Sequence, residues 1–186
     1  MTTQQGVEFL KQGEIIAYPT EAVYGLGCDP ANHQALEDLL CLKQRSTNKG
    51  LILIAADLKQ VEFYIDYINL SQEIQIKLFN SEDFITWLLP LNKKNLSKID
   101  PLLYSNFDTI AVRISGHPVV KNLCNLFNGP IISTSANLSG ADAIKDPKIL
   151  QQVFINKISG IVLGDLGGYE NPSTIINSIT GKIIRK

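Results

Sequence analysis

The sequence predicts an α/β protein built on a twisted, mixed β-sheet with flanking helices. Short β-rich runs such as 14–18 and 51–55 alternate with amphipathic segments such as 32–42 and 118–127, a pattern typical of α/β folds. Because strand and helix do not alternate strictly, we expect parallel and antiparallel pairs in one sheet. The 186 residues contain no repeat or obvious linker, so a single domain covering 1–186 is predicted.

The elements follow from hydrophobic periodicity and from the residues that start and stop them. Strands are expected at 14–18, 51–55, 86–89, 109–114, 131–133 and 161–163, and 174–176 with 182–185 as a hairpin through Thr180 and Gly181. Helices are expected at 32–42, 71–79 and 118–127 and at segments opening with Asp57 and Asp146. Pro19 stops the first strand, Pro118 suits a first helical turn, and Gly129-Pro130 ends that helix.

Composition excludes several classes of protein. The longest fully apolar stretch, Leu51 to Ala56, is far shorter than the roughly 20 residues that cross a bilayer. The start of the chain has no basic segment followed by an apolar one, so we expect no signal peptide. Three cysteines without a C-x-x-C pair argue against disulfides and zinc knuckles, which makes the cytoplasm the expected location. The net charge of −1 disfavours tight non-specific RNA binding.

Common catalytic and nucleotide-binding signatures are missing from the sequence. It has no P-loop, no G-x-G-x-x-G, no H-E-x-x-H and no G-x-S-x-G. His33 and His117 are its only histidines, so a multi-histidine metal site is impossible. His117 precedes a proline, and we interpret it as a turn residue.

Two polar clusters follow predicted elements in the first third of the chain. Segment 18–27 leaves a strand at Pro19 and offers the Thr20 hydroxyl and the Glu21 carboxylate where α/β sheets often hold ligands, although an ordinary turn is the alternative. Segment 43–50 concentrates three cations after a helix, which suits a triphosphate. Its alternative is that these cations only complement the helix dipole.

A third cluster, segment 133–140, carries four hydroxyls and an amide just after a short apolar strand. These groups can hydrogen-bond a nucleotide without adding charge, or they can serve only as caps and turns. Arg113 stands in the β-rich run 111–114, where it needs a partner or an anionic ligand unless it faces solvent.

Six segments in chain order carry a resemblance to a known family: Ile16–Pro30, Leu42–Arg45, Lys49–Ile52, Ala111–Ile114, Ser133–Gly140 and Asn171–Ile176. Together they resemble the YrdC/TsaC family of threonylcarbamoyl-adenylate synthases, in its short single-domain bacterial form. Any one segment could match by chance, but the ordered set covers nearly the whole chain. The resemblance implies a twisted sheet around a concave, positively charged cavity.

The resemblance also implies an activity. A nucleotidyltransferase of this kind forms threonylcarbamoyl-AMP and pyrophosphate from L-threonine, bicarbonate or CO2, and ATP. The product serves the t6A modification of adenosine 37 in tRNA, so the implied partners are a threonylcarbamoyl-transferase complex and, weakly, tRNA, with no membrane. Mg²⁺ would arrive with ATP, and neither a resident metal nor a tightly bound organic cofactor is implied.

The resemblance places roles on particular residues. The family's K-x-R…S-x-N tetrad falls on Lys43, Arg45, Ser135 and Asn137. Lys43 and Arg45 would hold the triphosphate, while Ser133, Ser135 and Asn137 would contact nucleotide or carbamate oxygens. Thr20 would help to seat threonine. The remaining expected substrate-binding residues are Lys49, Thr86, Arg113, Ser173 and Arg185.

One segment departs from the family. Where the family has P-G-P-x-T, this chain has Glu82-Asp83-Phe84-Ile85-Thr86. Two acids near a triphosphate would repel it, so either this loop points away or ATP affinity is reduced. Three alternatives to a synthase stay open: a non-catalytic RNA-binding or ribosome-associated protein, a carbamoylating maturation factor, and a generic α/β domain.

Overall fold

A computed structural model describes residues 1–79, 84–138 and 140–186, in which nine strands form one sheet. The strands are β1 (Ile16–Pro19), β2 (Tyr24–Gly27), β3 (Ile52–Ala55), β4 (Ile85–Pro90), β5 (Thr109–Ile114), β6 (Ile131–Ser135), β7 (Gly160–Ile161), β8 (Thr174–Asn177) and β9 (Ile183–Arg185). Their order is β7-β1-β2-β6-β3-β5-β4-β8-β9. The pairs β1/β7, β3/β5 and β4/β8 are parallel, and the others are antiparallel, which confirms the predicted mixed sheet.

Six α-helices flank the sheet in the described residues: α1 (Thr3–Lys11), α2 (His33–Leu42), α3 (Gln72–Phe79), α4 (Pro101–Tyr104), α5 (Pro118–Phe127) and α6 (Pro147–Val153). Their starts follow local capping chemistry. The Asn32 side chain accepts from the Ala35 amide at the start of α2, and the Asp146 side chain accepts from the Lys148 amide at the start of α6. Pro118 occupies the first turn of α5, as expected.

Three sequence-based expectations about elements were wrong, and one helix was missed. Segment 20–27 is not a single loop, because β2 pairs with β1 and its carbonyl and amide groups are thereby satisfied. Thr134 and Ser135 belong to β6 rather than to a loop. Asp57 caps only a 3-10 turn at Leu58–Gln60, not an α-helix. Helix α1 went unpredicted, although a capping box of Thr2 with Gln5 opens it.

The two faces of the sheet have different cover. On one face, buried side chains such as Leu53, Val112 and Ile132 belong to a large apolar cluster shared with α2, α3 and α6. On the other face, a smaller cluster that includes Ile54 and Ile131 packs under α1 and α5. Because side chains alternate along a strand, Ile52 and Ser133, two positions from Ile54 and Ile131, lie on that same face. They form the floor of the cavity described below.

Glycine at position 27 allows β1, β2 and β6 to approach closely. A Cβ atom at Gly27 would lie 2.3 Å from the Ile132 carbonyl oxygen and 2.8 Å from the Tyr18 ring. Tyr18 is fully buried, and its hydroxyl donates to that same carbonyl at 2.7 Å. The backbone and ring at this position therefore leave no room for a larger residue.

We expect Gly27→Ala to lower the free energy of unfolding by about 1–3 kcal/mol, the usual cost of forcing a methyl group into a packed interior. Gly129→Ala is the matched control, because its nearest neighbour would be a side-chain atom of Phe127 at 3.9 Å. Urea denaturation followed by circular dichroism measures both variants. Equal midpoints for the two variants would contradict the close-approach argument.

Candidate active site

A cavity of about 710 Å³ opens on the half of the sheet face that lies beyond the α1 and α5 cluster. Five residues that pair across neighbouring strands form its floor: Ser133 in β6, Ile52 in β3, Ala111 in β5, Leu88 in β4 and Asn177 in β8. These residues are far apart in the sequence and meet because strand register aligns them. The cavity is therefore a product of the sheet rather than of one loop.

Nine of the eleven residues expected in the site line this cavity: Thr20, Arg45, Lys49, Arg113, Ser133, Ser135, Asn137, Ser173 and Arg185. The other two, Lys43 and Thr86, are not among the described lining residues. Lys43 is hydrogen-bonded to Ser135 and Asn137, and Thr86 to Ser173, all of which line the cavity. Four of the lining side chains are cationic and one, Asp142, is acidic, within the ranges that the structure describes. Glu82 and Asp83 lie outside those ranges, so the overall charge of the cavity stays a prediction.

Arg45 reaches the cavity from the turn that follows α2. Gln44 takes a left-handed backbone conformation with φ of 49°, which ends the helix and redirects the chain. The Arg45 Nη2 atom donates to the Gly50 carbonyl at 3.0 Å, and its buried Nε has no hydrogen-bond partner among the described residues. Burial lowers the pKa of Arg45 from its usual value. Within the described residues Nη2 alone is hydrogen-bonded, so Nη1 has donors left for a ligand, and Lys49 adds an exposed cation in the lining.

Lys43 holds the end of β6 rather than facing the cavity. It is only 4% exposed, and its Nζ donates to the Ser135 carbonyl at 2.5 Å, the Asn137 carbonyl at 2.6 Å and the Asn137 Oδ1 at 2.7 Å. Burial, followed by the charge of Arg45, lowers the pKa of Lys43 to about 8. The Asn137 Oδ1 also accepts from the Ser135 hydroxyl at 2.7 Å, and its Nδ2 donates to the Ala141 carbonyl at 2.5 Å.

Arg113 lies at the edge of the cavity with a carboxylate partner and an aromatic one. It is 8% exposed, and its Nη2 lies 3.5 Å from the Glu21 Oε2. The Glu21 Oε1 accepts from the Ser115 hydroxyl at 2.5 Å, which fixes the carboxylate. The Arg113 guanidinium also lies 5.2 Å from the centre of the Phe84 ring. The buried Nε of Arg113 has no hydrogen-bond partner within the described residues, although the residue itself lines the cavity.

Phe84 belongs to the segment that departs from the family pattern. Its ring lines the cavity and packs against Tyr169, with centroids 4.7 Å apart. This part of the segment therefore turns inward instead of pointing away. The expectation about the charges of Glu82 and Asp83 falls outside the described residues.

A hydroxyl group from β4 meets one from the residue just before β8 at another wall of the cavity. Thr86 in β4 is fully buried, and its Oγ1 lies 2.7 Å from the Ser173 Oγ. Arg185 donates through Nη2 to the Ser173 carbonyl at 2.9 Å. Burial and the charges of Arg113 and Arg45 lower the pKa of Arg185. Because the charges of Arg113 and Arg45 act on Arg185, an anionic ligand would relieve this repulsion.

Thr20 and His117 take mainly structural hydrogen bonds. The Thr20 Oγ1 donates to the Val23 carbonyl at 2.7 Å within the β1–β2 turn, although Thr20 also lines the cavity. His117 precedes α5 as its N-cap residue, and its Nε2 lies 3.0 Å from the Asp165 carbonyl. This position agrees with the interpretation of His117 as a turn residue.

Sequence reasoning missed Ser115, Asp142 and Tyr169 as parts of the site. Ser115 could have been found, because it stands two positions after Arg113 and so shares its face of the chain. Asp142 reaches the cavity from a loop, and Tyr169 packs against the cavity-lining Phe84 from another loop. No periodicity in a loop reports which way a side chain points.

Metal-site and membrane features were also sought in the described ranges. No group of three or more His, Cys, Asp or Glu side chains there could hold a metal ion. No helix in the same ranges is both long and apolar enough to span a bilayer.

Comparisons with known proteins identify the family. The sequence model of the Sua5/YciO/YrdC family, described as "Telomere recombination", matches residues 8–186. The threonylcarbamoyl-AMP synthase of Photobacterium profundum is 46% identical over 184 residues, which are 98% of this chain and 97% of that protein.

Solved structures share the fold. P. abyssi Sua5 complexed with L-threonine is 25% identical with a TM-score of 0.86, and the match covers 97% of this chain and 52% of that one. E. coli YciO is 24% identical with a TM-score of 0.82, and the match covers 99% of this chain and 88% of that one. At this identity the likeness shows the fold alone. The chain therefore belongs to the Sua5/YciO/YrdC family.

Proposed function

We propose that this protein is a threonylcarbamoyl-AMP synthase, an enzyme that forms threonylcarbamoyl-AMP and pyrophosphate from L-threonine, bicarbonate or CO2, and ATP. The main support is the identity of 46% with a synthase of that name over nearly the full length of both chains. A cavity lined by cations and hydroxyls suits a triphosphate and an amino acid together. The P. abyssi relative was solved with L-threonine bound, which agrees with this choice of amino acid.

The proposed reaction has two steps. The amino group of threonine first forms a carbamate with bicarbonate, and water leaves. A carbamate oxygen then attacks the α-phosphorus of ATP, the new oxygen–phosphorus bond forms, and the bond to pyrophosphate breaks. Negative charge grows on phosphoryl oxygens and on the leaving group, so catalysis depends on positioned cations and hydrogen-bond donors.

The lining residues divide into roles that fit these steps. Arg45 and Lys49 are proposed to bind the triphosphate, because both are cationic and Arg45 keeps unused donors. Thr20 is proposed to contact threonine, and Ser133 to contact the carbamate. Arg113, Ser173 and Arg185 are proposed to line the nucleotide side of the cavity. ATP would carry Mg²⁺, which often uses only one or two carboxylates besides phosphate oxygens, and Asp142 is available for one such contact.

The product would pass to a threonylcarbamoyl-transferase complex for modification of adenosine 37 in tRNA, and the enzyme would act in the cytoplasm as a nucleotidyltransferase. The curated relatives are named as synthases, which favours this function over the RNA-binding alternative. The near-neutral composition, with a net charge of −1, also suits small anionic substrates better than a long RNA.

We expect the purified protein to release pyrophosphate from ATP and Mg²⁺ only when L-threonine and bicarbonate are both present. Omitting one component at a time measures this dependence. Release without threonine would indicate a simple ATPase, and no release from folded protein in the complete mixture would contradict the proposed function.

Arg45→Ala should reduce kcat/KM for ATP because it removes a charge-assisted contact of about 1.5–3 kcal/mol, roughly a ten- to hundredfold effect. Lys121→Ala removes an exposed cation from α5 outside the cavity lining and is the control. Thermal melting checks that both variants fold. Unchanged turnover in Arg45→Ala would remove this residue from the site.

The affinity for a non-hydrolysable ATP analogue should fall as pH rises through about 8, because the charge of Lys43 lies behind two cavity-lining residues and attracts the phosphates without touching them. The pKa of Lys43 is lowered to about 8, so its ammonium is charged at pH 7 and largely neutral at pH 9. Arg45, the charged group that most influences it, stays protonated over this range. Calorimetry between pH 7 and 9.5 measures the change, and Lys43→Met should give a flat profile. A wild-type affinity independent of pH would contradict the expectation.

A further inference from the structure

The ammonium group of Lys43 has no proton left for a substrate. Its three N–H donors meet three acceptors, all within 2.7 Å and all supplied by Ser135 and Asn137. With 4% exposure, it lies behind these two residues, which do line the cavity. A direct contact with a triphosphate would require it to abandon three partly buried oxygens, and a buried group left unsatisfied costs about 1–3 kcal/mol.

Lys43 fixes the orientation of the Asn137 amide. An ammonium has donors only, so it requires the Oδ1 atom on its side. The Nδ2 atom then donates to the Ala141 carbonyl at 2.5 Å. The flipped amide would set an NH2 group against the ammonium and an oxygen against a carbonyl, so only one orientation satisfies both neighbours.

The Asn137 amide in turn fixes the Ser135 hydroxyl. Oδ1 can only accept, so the Ser135 hydroxyl hydrogen is donated to it at 2.7 Å. Ser135 is exposed and lines the cavity. Its oxygen therefore offers only lone pairs to a ligand. Phosphate, carboxylate and carbamate oxygens without protons offer lone pairs as well, so they do not match this hydroxyl.

We propose that Lys43 is a positioning residue, which acts through Asn137 to make the Ser135 hydroxyl a hydrogen-bond acceptor for a substrate N–H or O–H group. This inference rests on the proposed function for its ligands and reassigns Lys43 from the triphosphate contact expected from the sequence. Matching donors exist on two substrates: the amino group and hydroxyl of L-threonine, and the hydroxyls and amino group of the adenosine part of ATP. The amino group keeps an N–H through carbamate formation and adenylation, so an acceptor fits it at every stage.

The binding test uses three probes: L-threonine, adenosine and inorganic tripolyphosphate. We expect Ser135→Ala to weaken the binding of L-threonine or adenosine by about five- to tenfold, a typical net hydrogen-bond contribution. The affinity for tripolyphosphate should not change. The probe whose affinity falls identifies the substrate that supplies the hydrogen-bond donor. Weaker tripolyphosphate binding, or no change with any probe, would overturn the proposal.

A double-mutant cycle tests whether Lys43 acts through Ser135. Lys43→Met should weaken the binding of the same probe, L-threonine or adenosine, as Ser135→Ala does. The double variant should lose no more affinity for that probe than the single variant that binds it less tightly. Arg45→Met with Ser135→Ala is the matched control, because Arg45 has no hydrogen bond to Ser135 and its losses should add. Additive losses for Lys43 and Ser135 would show that Lys43 acts separately and would overturn the proposal.

Hydrogen exchange in the ligand-free protein gives a readout that needs no substrate. The amides of Asn137 and Ala141 donate to the Ser135 and Leu138 carbonyls in this turn, and the Ala136 amide donates to the Tyr24 carbonyl in β2. They should exchange faster in Lys43→Met but at the wild-type rate in Arg45→Met, with other regions unchanged. Unchanged exchange in Lys43→Met would refute the positioning role. Because this readout does not involve turnover or binding, it separates failure of this inference from failure of the proposed function.

Discussion

The pairing of β6 between β2 and β3 is the constraint on which the rest of the structure depends. β6 joins the β1–β2 hairpin to the strands that follow it, and its register sets Ser133 beside Ile52 and Ser135 beside Gly25. Gly27 allows this approach because neither the Ile132 carbonyl nor the Tyr18 ring leaves space for a side chain. The same strand thus carries apolar packing at its start and the polar floor of the cavity at its end.

The division of one sheet face explains why the cavity exists there. Helices α1 and α5 cover Ile54 and Ile131, which exclude water by apolar burial. Two residues away on the same strands, Ile52 and Ser133 face the cavity instead. Since regular pleating continues through both halves, the site gains rigid support from the sheet without requiring a separate scaffold.

Cations outnumber carboxylates among the described residues that line the cavity. Arg45, Arg113 and Arg185 all line it, and the pKa of Arg185 is lowered by burial and by the other two charges. Glu21 offsets part of the charge at Arg113, but its Oε2 remains 3.5 Å away and without a hydrogen-bond partner in the described residues. In the proposed reaction, preorganised donors of this kind would stabilise the charge that develops on phosphoryl oxygens, and such chemistry needs no acid–base pair in the protein.

The sequence by itself determined the α/β class, the mixed sheet, most element positions and the family, because hydrophobic period, caps and motif order are local properties. It also identified nine residues that line the cavity. Tertiary structure decided that segment 24–27 is a strand, since only pairing with β1 and β6 satisfies its backbone. It alone decided the direction of each polar side chain: Lys43 and Arg45 lie two positions apart, yet one supports a turn and the other faces the cavity. Burial and hydrogen-bond partners set that difference, and both come from residues distant in the chain.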